Sequence, residues 1–402
     1  MIFFIKKIDK NGKSVIYLDT FDNISEAVEF IESEGSIPIT VFPLPKIFSF
    51  ILAPFFKPRI KKEEIIEILD NFHLIIKSGI PIQTAIEDLI KESKNPYLQK
   101  ILRHISITLQ NGYSLSAAIE KYRHLFTSVI VSLIKIGEQT GNLEVTLKKG
   151  ADFLKKIEDI KKKVKQAMIY PSFAFVAIMT AMLVWLLYVL PKIVKVFKEM
   201  DVELPSITVF VMNVSNFLQK QIGFLFISSV LLIAMFVFLL RYEKVKYYFD
   251  KFLLKLPIFK QFITYFNTAF FAEYMRLTVS SGLPLLEGLK TLKENTSNLV
   301  YKKAIEEILY DIQKGYRISD AIKDVHLYPL FMVRMIAMGE DSGELEKQLT
   351  TISDFYYSKI DYMAQNLSKI IEPLLIFVLG IFMAIIMLAL FGPIYTLIGK
   401  IK

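Results

Sequence analysis

The 402-residue chain contains no cysteine. Disulfides, thiolate catalysis and cysteine-ligated metals are thereby excluded, while the compartment stays open. Histidine is scarce. His73, His104, His124 and His326 are scattered along the chain and lie outside every long apolar run, so no metal or other cofactor is expected. There is no GxxxxGK[ST] loop and hence no P-loop. GxSxG and HExxH are also missing. The long apolar runs contain no Asp, His or Cys, the side chains an intramembrane protease would use. A transporter usually places ionisable groups near the bilayer midplane, and here only Glu372 comes close. The chain therefore reads as a non-enzyme. The apolar start, Met1 to Ile5, is followed at once by Lys6, Lys7, Asp9 and Lys10, too short a run for a signal-peptide core.

Apolar sequence is abundant: 53% of residues, with a mean hydropathy of +0.42. Residues 169–190, 222–240 and 374–398 carry no charge over 22, 19 and 25 positions. A helix needs roughly 20 apolar residues to cross the hydrocarbon core, so three transmembrane helices are expected. Lysines orient them. Lys155, Lys156, Lys161, Lys162, Lys163 and Lys165 precede the first run, and Arg241, Lys244, Lys246, Lys251, Lys255 and Lys260 follow the second. The positive-inside rule makes both flanks cytoplasmic and the connector 191–221 periplasmic. Alternation then puts the N-terminus inside and the C-terminus outside. The net charge of +9 thus gathers at the bilayer surface, and nucleic acid is not an expected partner.

The chain also repeats itself. Ser78-Gly79-Ile80-Pro81 returns as Ser281-Gly282-Leu283-Pro284, and Gly112-Tyr113-Ser114-Leu115-Ser116 as Gly315-Tyr316-Arg317-Ile318-Ser319, both 203 residues later. Gly137-Glu138-Gln139-Thr140-Gly141 returns as Gly339-Glu340-Asp341-Ser342-Gly343, 202 later, as Pro171 does at Pro373 and Pro191 at Pro393. The first and third apolar runs are thus equivalents. The middle one has no counterpart and returns the chain to the cytoplasm. Each copy reads as about six helices. Ile65, Ile66, Ile68, Leu69, Phe72, Ile75 and Ile76 fall at helical spacing. Gly79 and Gly282 end helices that Pro81 and Pro284 follow. Gly112 and Gly315 close another pair, and Ser114 is placed to cap the next helix. At the front, residues 3–8, 14–18 and 38–42 read as strands and 25–34 as a helix.

The expected fold is mostly α: two repeated six-helix cytoplasmic bundles, three transmembrane helices and a small N-terminal α+β module. The segments are the module 1–45, an apolar proline-rich linker 46–60, the first cytoplasmic domain 61–168, spans at 169–190 and 222–241 around the periplasmic connector 191–221, the second cytoplasmic domain 242–371, and a last span 372–398.

These motifs, doubled at constant offset, resemble the type II secretion system F family, the inner-membrane platform proteins of type II secretion systems and type IV pilus machines. The resemblance runs over nearly the whole chain. It includes Asp9-Lys10-Asn11-Gly12-Lys13, Ser25-Glu26-Ala27, Tyr170-Pro171, Glu372-Pro373 and Leu204-Pro205-Ser206-Ile207-Thr208. Residues 41–60 depart from the family pattern in being apolar and proline-rich. The resemblance implies a non-enzymatic scaffold in the inner membrane, working with a cytoplasmic hexameric secretion or pilus ATPase, pilin or pseudopilin subunits, other inner-membrane assembly proteins and a second copy of itself. The alternatives are a transporter or channel component and a receptor, although a 31-residue outer connector leaves a receptor little ligand domain. Glu372 is read either as reaching out to water or pairing with a base, with Lys369 on its own helix face a ready partner, or as a contact for a subunit entering the machine.

Overall fold

The computed structural model describes residues 2–8, 12–20, 24–33, 36–43, 60–93, 95–200 and 204–400. The expected linker 46–60, apart from Ile60, lies outside them, as do Lys10, Asn11, Gly35 and the connector residues 201–203. The chain divides into two compact units, Met1–Lys155 and Lys156–Lys402.

In the first unit, β1 (Ile2–Ile8), β2 (Ser14–Thr20) and β3 (Ile37–Pro43) form an antiparallel sheet in the order β2-β1-β3. Alternation along β1 turns Phe3 and Ile5 to one face, where they are buried with Ala27 and Ile31 of α1 (Ile24–Ser33). The expected strands thus form, each one or two residues longer, and the helix expected over 25–34 forms over Ile24–Ser33, Glu34 lying outside the described residues.

Among the described residues of this unit, five helices and the start of a sixth follow: α2 (Lys62–Lys77), α3 (Ile82–Glu92), α4 (Pro96–Gln110), α5 (Leu115–Glu120), α6 (Arg123–Thr140) and α7 (Leu143–Ala167). Of the periodic residues in α2, Ile65, Ile68, Leu69 and Phe72 reach the core. Asn95 caps α4 and Ser114 caps α5 through their side-chain oxygens. Pro81 and Pro284 sit one residue earlier than a first-turn proline would, at the N-cap positions of their helices.

The second unit begins inside α7. Its helices continue as α8 (Ile169–Val184), a five-residue π-helical turn (Trp185–Val189), α9 (Leu190–Glu199), α10 (Ser206–Leu239) and α11 (Glu243–Leu253). The repeat of the bundle follows as α12 (Pro257–Ser280), α13 (Leu285–Asn295), α14 (Leu299–Gln313), α15 (Ile318–Asp324), α16 (Leu330–Ser342) and α17 (Leu345–Lys400). Among the described residues each copy therefore has six helices, as expected. The last helix of each copy does not stop where its apolar run starts. Residues 143–199 are helical without a break and α17 spans 56 residues, roughly 80 Å at 1.5 Å per residue. These two helices are long and apolar enough to cross a membrane. Along α10 the corresponding stretch among the described residues is shorter, Ile227–Leu239. Phe173, Ile233 and Phe377 are 73%, 65% and 66% exposed, an arrangement that water disfavours and lipid accepts.

Candidate functional site

The motifs that stand apart in sequence come together at one corner in each copy. Gly112 and Gly141 have φ of +84° and +72°, Gly315 and Gly343 of +92° and +71°. Gly141 and Gly343 end α6 and α16 in the left-handed conformation, where any other residue meets its own carbonyl. Nothing lies within 4 Å of a Cβ built on either, so the backbone alone calls for glycine there. The first glycine of the motif has a different reason. A Cβ on Gly137 would collide with Thr146 and lie 2.8 Å from the Leu143 Cα, and one on Gly339 would lie 3.0 Å from the Leu345 Cα. These glycines let consecutive helices cross closely.

The glutamate between them ties the corner together. The Glu138 carboxylate accepts from the Leu115 and Ser116 N–H groups and from the Ser116 hydroxyl. Glu340 accepts from Ile318 N–H, Ser319 N–H and the Ser319 hydroxyl in the same way. Each acid caps a short helix 22 or so residues upstream, where unpaired N–H groups and a positive helix end favour it. The pair Gly-Tyr-x-x-Ser and Gly-Glu-x-x-Gly is therefore one structural device, which the sequence motifs alone did not connect. The other pair, Gly79-x-Pro81 and Gly282-x-Pro284, shapes a separate turn, with φ of +75° and +73° at the glycines.

A charged cluster in the second unit escaped the sequence reading. Glu273 on α12 is 2% exposed. Its carboxylate is 2.6 Å from Arg276 and 3.0 Å from the Lys156 ammonium, and it accepts from the Ser353 hydroxyl at 2.5 Å. Lys156 also donates to Ser353 and to Asp354, at 3.1 and 2.8 Å, so its three protons are all engaged. Burial raises the Glu273 pKa. Hydrogen bonds from Arg276 and Ser353 and the positive charges of Arg276 and Lys156 outweigh it, and the carboxyl sits below its ordinary value of 4.5. Asp70 is the equivalent in the first copy. It is 31% exposed and pairs with Lys148 at 3.1 Å, which also reaches Asp152 at 3.0 Å. The acid at this offset was visible in the sequence. Its burial was not, because Lys156 lies 117 residues away.

The prolines of the apolar helices form a third pattern. Pro191 has no N–H to offer Leu186 or Leu187, five and four residues back. Ser215 donates to the Leu186 carbonyl instead, and Gln219 donates to that of Leu187 at 2.9 Å. Pro393 likewise frees the Ala389 carbonyl, and the Thr208 hydroxyl donates to it at 3.2 Å. All three donors lie on α10, the helix with no repeat counterpart. Ser215 and Thr208 are fully buried, beside the cluster of Leu186, Leu190, Val194, Val211 and Ala389. Backbone groups freed in an apolar setting need such partners.

Pro171 is buried at the start of α8, and Pro373 lies exposed within α17. Glu372 is exposed and forms no ion pair with Lys369 among the described residues. Of the two local readings, exposure to water is the one the structure shows. No group of three or more described His, Asp or Glu side chains is arranged to hold a metal.

Comparison with known proteins accounts for the doubling. A model of the family described as Type II secretion system (T2SS), protein F, matches residues 68–191 and again 271–393. The matches start 203 apart (271 against 68) and end 202 apart (393 against 191), the offsets of the motifs. The chain belongs to the type II secretion system protein F family. This F-family chain is 26% identical over 394 residues to the type II secretion system protein F of Vibrio cholerae, covering 98% of itself and 97% of that relative. It is 27% identical over 340 residues to the type IV pilus assembly protein TapC of Aeromonas hydrophila, covering 84% and 82%. It is 28% identical over 330 residues to PilC of Pseudomonas aeruginosa, covering 80% and 86%. In the F-family chain each matched region spans most of a bundle and runs on into the apolar helix, through Pro191 in one copy and Pro393 in the other.

Proposed function

We propose that the protein is the non-enzymatic inner-membrane platform of a type II secretion or type IV pilus machine. The names of its relatives support the class of machine. The observation that carries the mechanism is the continuous helix: each bundle's last helix runs on into an apolar stretch long enough to cross a membrane. A helix is stiffer than a loop, so movement of the bundle end tilts or rotates the apolar end with it. A flexible loop at residue 168 or 371 would absorb the movement. In this reading a cytoplasmic hexameric ATPase pushes on the bundles, and pilin or pseudopilin subunits are lifted beside α8, α10 and α17 into a growing fibre. The three donors of α10 hold the helices together while they move. The bundles face the cytoplasm, three helices cross, the connector 191–221 is periplasmic, and Glu372 stands at the cytoplasmic mouth as a guide for a cationic group on the incoming subunit.

Deletion of the gene is expected to abolish fibre assembly or secretion; intact assembly without the protein overturns the platform. For topology, cysteines placed at the exposed Ser206 and Lys77 separate the two faces. An impermeant thiol reagent should label the Ser206 site and spare the Lys77 site in spheroplasts. Ser116 is unsuitable for this purpose, being 8% exposed and bound to Glu138. The transporter reading is disfavoured by the lack of any charge across residues 169–190, 222–240 and 374–398.

A further inference from the structure

The two copies carry cavities of opposite charge. In the first, a cavity of about 310 Å³ between α2, α3 and α4 is lined, among the described residues, by Glu64, Glu67 and Glu92 and by no basic residue. In the second unit, two adjoining cavities of about 510 and 470 Å³ open between α11, α13 and α14 and share Glu243, Leu299 and Lys302. Six basic side chains line them against three carboxylates, and one of those, Glu306, is taken by Lys293 at 3.2 Å. Lys303 lies over the Tyr247 ring, 4.1 Å from its centroid. The walls are held firmly. Asp250 on α11 is buried and accepts the Leu299 N–H at 2.8 Å, pinning α11 to the start of α14.

Position gives this surplus a meaning. The groove opens directly after α10, whose residues from Leu231 to Phe238 are mostly about half exposed or more and all apolar. Arg241 and Lys246 line it two and seven residues past Leu239. Tyr242 and Tyr248 beside it are 55% and 70% exposed, side chains suited to the boundary between hydrocarbon and water. A basic cavity at the end of an apolar helix, flanked by exposed tyrosines, matches a lipid phosphate in charge and in depth.

We propose that the groove between α11 and α14 binds the headgroup of an anionic phospholipid of the cytoplasmic leaflet. The phosphate sits among Lys244, Lys302 and Lys303, and the acyl chains run along α10. The first copy, with an acidic cavity, binds none there. This rests on the reading that α10 crosses the membrane with Leu239 at the cytoplasmic side.

The test uses the full chain in neutral detergent, titrated with phosphatidylglycerol or phosphatidylcholine, with bound lipid counted by native mass spectrometry. Phosphatidylglycerol is expected to bind at least about tenfold tighter. The K244Q/K302Q/K303Q variant should lose that preference. K77Q/K121Q/K135Q, which removes the same charge from the first copy, should keep it. Equal binding of the two lipids by the wild type overturns the proposal, and so does an unchanged preference in the first variant. Millimolar inorganic phosphate should displace little lipid; full displacement assigns the groove to a free phosphate instead. Flotation with pure phosphatidylcholine vesicles separates the two readings. A chain that floats but ignores headgroup charge refutes the lipid site and leaves the platform standing. A chain that does not float with any vesicle refutes both.

Discussion

The two bundles share their corners and differ in their charges. Glu138 and Glu340 take the same three donors, and Gly141 and Gly343 differ by one degree in φ. Yet Asp70 is a partly exposed acid with a lysine from its own bundle, while the equivalent Glu273 is buried among Arg276, Lys156 and Ser353. Even next to the shared corner the copies diverge. Ser114 caps α5, whereas its counterpart Arg317 makes no cap and pairs with Asp341 at 2.6 Å. A repeat keeps what the backbone requires, since a left-handed residue or an uncapped helix end has few solutions. Side-chain charge is free to drift, because many partners satisfy it.

The largest break in this comparison is expected at the acids. Glu273→Gln should cost about 3 kcal/mol, because two cations are left around a buried site. Asp70→Asn should cost under about 1 kcal/mol, as an exposed pair does. Melting of both proteins in detergent checks the difference, and equal losses would mean that burial does not set the scale. The same pair differs with pH. The folded Glu273 carboxyl lies below 4.5, so its contribution is complete above the unfolded pKa and is lost as pH falls through the folded one. The stability gap between wild type and Glu273→Gln should hold steady above about pH 5 and narrow below it. A gap that widens on acidification would reverse the sign.

Next come the close crossings. Gly137→Ala should cost about 2–3 kcal/mol and Gly339→Ala nearer 1 kcal/mol. The added methyl meets a backbone Cα at 2.8 Å in one copy and at 3.0 Å in the other, with a flexible Gln348 side chain able to yield. Removing the corner acids should then be symmetric. Glu138→Ala and Glu340→Ala each strand two N–H groups and a hydroxyl, costing about 2 kcal/mol, and a marked inequality would show that one corner is braced elsewhere. The smallest effect is at the helix ends. Gly141→Ala and Gly343→Ala should each cost about 1 kcal/mol, from backbone strain without a clash. If either folds with that penalty and yet loses ATPase binding, the corner is also a contact surface.

Much of this architecture was legible because its causes are local. A glycine in the left-handed region, a serine that caps its own helix and a proline without an N–H each act within a few residues, so motif spacing revealed the doubling, six helices per copy and the helix ends. Run length in charge-free sequence marked the two helices that are long and apolar enough to cross a membrane, while the middle run gives a shorter apolar stretch among the described residues, Ile227–Leu239. At Glu372 the local alternatives were water or a pair with Lys369, and the side chain is exposed without that pair, since two exposed side chains gain little by meeting.

What the sequence by itself determined is therefore the repeat, its helices and their apolar ends, all set by interactions within about one helical turn. Only the tertiary structure decided that Glu138 and Glu340 cap helices 22 or so residues away, that Lys156 neutralises Glu273 across 117 residues, and that Thr208 fills the carbonyl Pro393 leaves open, 181 residues apart. Such partners are chosen by which faces pack together, and neither periodicity nor spacing encodes that.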